Sequence, residues 1–162
     1  LLGSIALWIL ATIKFTLDGS LPARLALWGL LPEAYAAISV RAVVNLLRLK
    51  RGTTPVVVLR NCVTDAGAAE LAEGVRMYGK KAGLEALELP HNPALSPAGL
   101  RHLASAALLE GSLLQELDVS YNPQLGSTGA ELLLPLLKPK ASKINALRLA
   151  DTGLSVDFVK QL

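Results

Sequence analysis

The chain has 162 residues, of which 52% are hydrophobic and only 18% are charged, and its mean hydropathy is +0.44. Soluble domains average about 45–50% apolar and about 25% charged residues, so this composition predicts a membrane segment or a large buried interface. The single cysteine excludes an internal disulfide and disfavours a cysteine-based metal site.

The first 52 residues are predicted to form a hydrophobic, basic and all-α segment. They hold six basic and two acidic residues, whereas residues 53–162 hold ten and eleven. A nucleic-acid binder would carry its positive charge on a patterned polar surface, so we expect no nucleic-acid partner. The charge instead fits a segment close to a membrane.

Residues 1–17 are mostly apolar, and their only charged residue is Lys14. A membrane-spanning helix needs about 20 residues, so we expect a helix that spans or enters a membrane, or that is embedded in protein. A secretory signal peptide is disfavoured, because no basic n-region and no small-residue cleavage site are evident.

A second helix is predicted over residues 33–50, starting at Pro32. It is either a cap that covers the first repeat of a solenoid or a helix that lies at a membrane surface. Under the membrane interpretation, the residues in contact with lipid are Trp8, Lys14, Trp28, Arg48, Lys50 and Arg51.

Residues 53–162 contain an internal repeat. "LEALELPHN" (84–92), "LQELDVSYN" (114–122) and "INALRLADT" (144–152) align without gaps, and "TTPVVVLRN" (53–61) is a weaker first copy. The alternating apolar residues predict a short strand whose alternate side chains enter the core. A glycine and a helical pattern follow each of the first three copies, so the glycine is expected to let the chain turn into a returning helix.

This pattern resembles the leucine-rich repeat, and "NCVTDAGAAELAEGV" (61–75) is similar to its ribonuclease-inhibitor-like subtype. The resemblance implies an α/β fold, a short solenoid of about four strand–turn–helix repeats, preceded by the helical segment. A ladder of buried asparagines should satisfy the polar backbone at the turns. Its predicted members are Asn61, Asn92 and Asn122.

The strand residues that point away from the core are expected to line a concave protein-binding face. The predicted alignment places Val57 beside Glu88, Asp118 and Arg148, with Tyr121 as an aromatic anchor. The full predicted binding set is Glu85, Glu88, His91, Glu116, Asp118, Tyr121 and Arg148.

No motif for a nucleophile, a phosphate-binding loop or a metal site occurs in the sequence. The sequence therefore predicts a protein that is not an enzyme and needs no metal or cofactor. Cys62 stands where the resemblance implies a core cysteine, which favours a packing role over a nucleophile.

The favoured interpretation is a scaffold tethered to a membrane or to a membrane-protein assembly, with lipid contact. An accessory subunit of a photosynthetic or respiratory complex, in the thylakoid or mitochondrial inner membrane, is one example. The alternative is a soluble regulator that binds one protein on its concave face. The resemblance makes an inhibitor, a GTPase-activating relative or a receptor-like fragment the candidates for that role.

Overall fold

The computed structural model describes residues 24–28, 40–41, 43–45, 47–49, 52, 54–138, 140–155 and 158. Five parallel strands form one sheet in chain order. They are β1 (Arg24–Trp28), β2 (Val56–Arg60), β3 (Ala86–Glu88), β4 (Glu116–Asp118) and β5 (Ala146–Arg148).

A helical return follows each of the three middle strands. These helices are α1 (Asp65–Gly74), α2 (Pro97–Ala107) and α3 (Gly126–Leu133). Helix α1 continues through a π-helical turn, Val75–Gly79, and a further α-helical turn, Lys80–Ala82. Helix α3 continues as a 3₁₀-helix, Leu134–Leu137. The result is a mixed α/β fold, consistent with the repeat that the sequence resembles.

The core lies between the sheet and the helices, and each copy supplies equivalent side chains to it. Leu87 and Leu117 lie side by side in the sheet, and both are almost completely buried. The alternation of side chains along a strand places every second residue in this core. Helix residues complete it, among them Leu71, Leu100 and Leu133.

Two buried asparagines join neighbouring copies through the backbone. Asn92 Oδ1 accepts from the N–H groups of Cys62 and Val63, both at 2.8 Å, and its Nδ2 donates to Leu59 O at 2.9 Å. Asn122 Oδ1 accepts from Asn92 N–H, and its Nδ2 donates to the carbonyls of the preceding copy and of its own turn. Each asparagine therefore satisfies polar groups that the turn would otherwise bury unpaired.

The predicted ladder position of Asn61 is wrong by one residue. The sheet pairs Val57 with Leu87, so Cys62 occupies the position of Asn92 and is buried, whereas Asn61 is exposed. Asn61 has a φ of 53°, a left-handed conformation that asparagine tolerates better than most residues. The identity of the residue suggested a ladder position, but the pairing of the strands decides which side chain enters the core.

The repeated glycines also play a different role from the predicted one. Gly99 and Gly129 lie inside the first turns of α2 and α3 and are buried, rather than preceding the helices. A Cβ on Gly99 would lie 2.8 Å from Asp65 Cα. The missing side chain thus allows neighbouring helices to approach each other closely. Because the helices are this close, Asp65 Oδ1 accepts hydrogen bonds from the N–H groups of Ser96 and Gly99.

Strand β1 contradicts the prediction that the first 52 residues are all helical. Its backbone pairs in parallel with β2, Arg24 beside Val56 and Trp28 beside Arg60. In the sequence "RLALW" four consecutive apolar residues follow Arg24, and periodicity alone does not tell such a short run in a strand from one in a buried helix.

The described residues between 40 and 49 are helical and lie within the predicted helix 33–50. Val40, Val43 and Leu47 are fully buried in the common core. A Cβ on Gly74 would lie 2.7 Å from a methyl group of Val44, so this helix packs tightly against α1. The sheet and the core therefore continue across the predicted boundary between residues 52 and 53.

Candidate protein-binding face

The sheet has one face covered by helices and an opposite face, here called the open face. The open face carries the strand residues that alternate with the core leucines, in rows set by the pairing of the strands. One row consists of Val58, Glu88, Asp118 and Arg148. The predicted first member of this row, Val57, is instead fully buried in the core, because the register of the first copy is shifted by one residue.

Acidic side chains dominate the middle of the open face. Glu88 and Asp118 are adjacent in the row and half-buried, and Glu85 is exposed beside the start of β3. The Asp118 carboxylate accepts from Ser120 N–H at 2.8 Å, which fixes one of its oxygens while the side chain stays within reach of solvent. Strand β5 adds the positive charge of Arg148, which forms a salt bridge with Glu116 across the β4–β5 pair.

An aromatic pair lies beside this acidic row, at the carboxyl ends of β3 and β4. The rings of His91 and Tyr121 are stacked, with centroids 4.4 Å apart and planes 1° apart. His91 is half-buried and Tyr121 is 44% exposed. Rigid, partly exposed aromatic side chains are the residue type most enriched at protein interfaces.

The structure thus brings the seven predicted binding residues to one face and its rim. Asp151 is absent from the predicted binding set, although the sequence alignment places it in one column with His91 and Tyr121. Asp151 is exposed and holds the same left-handed turn position in the last copy as Tyr121 and His91 hold in theirs. The gapless alignment of the copies was the available signal, since it places residues 91, 121 and 151 at equivalent positions.

Four of the six predicted lipid contacts lie outside the described residues. These four are Trp8, Lys14, Lys50 and Arg51. Trp28 ends β1, and its backbone pairs with Arg60. Arg48 is exposed, and its carbonyl accepts from Lys81 Nζ at 2.8 Å. Within the part of the chain that the structure describes, no helix combines the length and the apolar character needed to cross a membrane.

Cys62 has the properties of a core residue. It is 3% exposed, and burial raises the pKa of its thiol from 9.0 to about 12, against a smaller opposing effect of a backbone hydrogen bond at Arg60. A thiol must lose its proton to act as a nucleophile or a metal ligand, so this one is unreactive near neutral pH. No group of three or more His, Cys, Asp or Glu side chains within the described ranges could hold a metal ion.

Two small cavities of the described part lie away from the open face. One of about 200 Å³ lies between α1 and α2, lined by Ala72, Arg76 and Leu109 among others. A second, of about 160 Å³, lies beside the π-helical turn. Small-molecule sites occupy about 300–1,000 Å³, so neither cavity is large enough to accept a typical organic ligand.

Residues 112–134 match the family model described as "Leucine Rich repeat". The match supports a leucine-rich-repeat protein. It covers β4, Tyr121, Asn122 and α3, which form the larger part of one copy of the repeat seen in the structure. No curated protein matches the chain. Leucine-rich repeats commonly bind proteins, so the match suggests a protein-interaction scaffold with protein partners.

Proposed function

We propose that this chain is a non-enzymatic protein-interaction scaffold whose partner binds on the open face. In this proposal the copies form a short solenoid of the ribonuclease-inhibitor-like subtype, and the open face is its concave side. The observation that carries the proposal is the arrangement of the face itself. A rigid aromatic pair and a row of partly exposed charges stand on strands that the asparagine ladder holds in register.

The physical basis of the proposal is preorganisation. Interface residues lose conformational entropy when they bind, and side chains already held in place lose less. Tyr121 stacks on His91, and Asp118 accepts a hydrogen bond from its own turn, so both are restrained before any partner arrives.

The proposal is tested by capture of partners with the full chain as bait. The double variant Glu88→Lys, Asp118→Lys reverses the charge of the open-face row, and Tyr121→Asn removes the aromatic anchor. The matched control is Glu110→Lys, Glu131→Lys, which makes the same charge change at exposed positions of the loop after α2 and of α3. We expect one set of proteins to be captured by wild type and control and to be lost from both open-face variants.

Equal capture by wild type, by both open-face variants and by the control would contradict binding on the open face. Loss from the control as well would mean that net charge, rather than this face, governs capture, and would also contradict the proposal. Denaturation midpoints of all four proteins verify that the captured amounts reflect folded chains.

We also propose that residues 1–17 attach this scaffold to a membrane or to a membrane-protein assembly, such as an accessory position in an organellar photosynthetic or respiratory complex. The support is the apolar run itself and the basic charge of the first 52 residues. Deleting residues 1–20 should move the protein from the membrane to the soluble fraction. Membrane association that persists after the deletion would contradict the tether.

A further inference from the structure

One backbone position per copy forms a column along the rim of the open face, here called the turn column. Its members are Asn61, His91, Tyr121 and Asp151, with φ values of 53°, 57°, 61° and 51°. Equivalent backbone hydrogen bonds link successive copies at this column, from His91 N–H to Ser120 O at 3.2 Å and from Tyr121 N–H to Ala150 O at 2.6 Å. The column therefore has a regular geometry that continues from one copy to the next.

The two ring faces of Tyr121 have different environments. One face is covered by the parallel ring of His91, 4.4 Å away between centroids. The next position of the turn column on the other side is Asp151, which has a short side chain and is exposed. Neighbouring parallel strands are about 4.8 Å apart, so the backbone position of Asp151 lies about one strand spacing from that of Tyr121. The space beside the second ring face of Tyr121 therefore lies next to the Asp151 position.

The residue types in the turn column indicate that the rings of His91 and Tyr121 are not needed to form the turn. Left-handed backbone suits asparagine and aspartate, which hold this position in the first and last copies, and it is less favourable for a bulky side chain such as tyrosine. Tyr121 therefore adopts a conformation that a turn alone would not select. Sparsely populated backbone conformations that the surrounding structure holds in place cluster at active sites, ligand clamps and switch regions.

The chemistry of this space favours a planar cation. A ring face is negatively polarised and attracts a cation placed within about 6 Å of the centroid. Asp151 adds a full negative charge, and no salt bridge joins it to another residue in the described part of the chain. Asp118, three residues before Tyr121 on the same copy, adds a second carboxylate near the rim.

An arginine already pairs with a carboxylate on the same face. Arg148 forms a salt bridge with Glu116 across one strand pair. A guanidinium group is also planar and weakly hydrated, and it stacks on aromatic rings while it pairs with a carboxylate, which a lysine ammonium group does less well.

We propose that the outer ring face of Tyr121, together with the Asp151 carboxylate, is a subsite for an arginine side chain of the protein partner. The guanidinium plane stacks on the tyrosine ring in continuation of the His91–Tyr121 stack, and its N–H groups donate to Asp151. This subsite rests on the proposed function, because it assigns the chemistry of the group that the open face recognises. His91 acts as a positioning residue, since it supports the ring from the opposite side.

The test uses the full chain and three small probes: N-acetyl-arginine amide, its uncharged citrulline analogue and N-acetyl-lysine amide. Titrations followed by NMR report on the ring signals of Tyr121, which a Tyr121→Asn spectrum assigns. We expect arginine to shift these signals in a saturable way, citrulline to leave them unmoved, and lysine to bind at least threefold more weakly than arginine. Asp151→Asn should weaken arginine binding at least threefold, and the matched control Glu131→Gln should not change it.

Equal shifts with arginine and citrulline, or arginine binding unchanged in Asp151→Asn, would overturn the subsite. So would the absence of any arginine-dependent shift at Tyr121. These results are separate from the partner-capture experiment. Partners lost from the open-face variants, combined with no arginine effect, would leave the proposed function standing and the subsite wrong. Arginine binding at Tyr121, combined with capture unaffected by the open-face variants, would show the proposed function to be wrong.

Discussion

The two central copies and the last copy share one sequence frame but differ in burial. Leu87 and Leu117 are almost fully buried, whereas the equivalent Leu147 is only partly buried. In the described residues, β3 and β4 each have a strand on both sides, while β5 pairs only with β4. A leucine in this repeat is therefore buried by its neighbours in the array rather than by its own copy.

The ladder position shows the same difference. Asn122 bridges two copies through several hydrogen bonds, whereas Thr152, its counterpart in the last copy, donates to Leu149 O of its own turn at 2.8 Å. The central copies are thus joined to each other by both core packing and buried polar contacts. The difference predicts that equivalent substitutions have unequal effects along the chain.

The largest expected difference is between Leu117→Ala and Leu147→Ala. Truncating a fully buried leucine leaves a cavity and costs about 3 kcal/mol of unfolding free energy, and a partly exposed leucine costs about 1 kcal/mol. Urea denaturation followed by circular dichroism measures both values. Equal losses at the two positions would show that β5 is covered as completely as β4.

The next effect is at the ladder, where Asn122→Ala should cost about 2 kcal/mol and Thr152→Ala less than about 1 kcal/mol. Asn122→Ala leaves buried carbonyl and N–H groups without partners, which is costlier than the loss of one hydrogen bond within a turn. Asn61→Gly serves as the control for the corrected register, because glycine tolerates the left-handed backbone of this position, and its expected change is below about 0.5 kcal/mol. A large loss at Asn61 would restore the register that the sequence suggested.

A smaller effect distinguishes the first copy, in which Cys62 occupies the ladder position. Its pKa is raised from 9.0 to about 12 by burial, so the folded state retains the thiol proton at a pH where the unfolded state has lost it. The contribution of Cys62 to stability is therefore complete below pH 9 and is lost as pH rises toward 12, by about 1 kcal/mol at pH 10.

The measurement is the difference between wild type and Cys62→Ala in denaturation midpoint, recorded from pH 7 to pH 10.5. The wild-type midpoint minus the Cys62→Ala midpoint should be constant up to about pH 8.5 and should then decrease as the pH rises. A difference that stays flat across the whole range would mean that the thiol is not buried as the structure shows.

The smallest expected effect concerns the salt bridge between Glu116 and Arg148, which joins the last two strands. The side chains are 26% and 55% exposed, and ion pairs in contact with solvent contribute about 0–1 kcal/mol. A double-mutant cycle with Glu116→Gln and Arg148→Gln should give a coupling energy of about 0.5 kcal/mol that declines in high salt. A coupling several times larger would mean that β5 is held mainly by charge.

The sequence predicts the strands of the copies that align without gaps. It predicts the wrong register in the first copy, where one conspicuous residue suggests an alignment that differs from the strand pairing. The frames that contain Leu87, Leu117 and Leu147 determine β3, β4 and β5, because the two-residue period and the thirty-residue spacing agree. In the first copy, the conspicuous Asn61 suggested one register, whereas the pairing of Val57 with Leu87 sets another.

The strand conformation of β1 and the side-chain geometry of the candidate site could not be predicted from the sequence, for a different reason. "RLALW" is apolar enough to suggest a helix, and only its pairing with β2 distinguishes a strand. The alignment placed His91 and Tyr121 at equivalent positions, but the parallel orientation of their rings depends on side-chain packing that a pattern of residue types does not encode. The same holds for the π-helical turn Val75–Gly79.

The central claim is that the repeat divides its residues between a face that binds and a core that holds the fold. Two adjacent residues test it most directly, since Tyr121 is exposed on the open-face rim and Asn122 is fully buried. Denaturation midpoint and partner capture should be measured together for Tyr121→Asn and Asn122→Ala. We predict that Tyr121→Asn loses capture with stability within about 1 kcal/mol of wild type, while Asn122→Ala loses about 2 kcal/mol and retains capture per folded molecule. Stability lost with capture retained in Tyr121→Asn, or capture lost by folded Asn122→Ala, would contradict the claim.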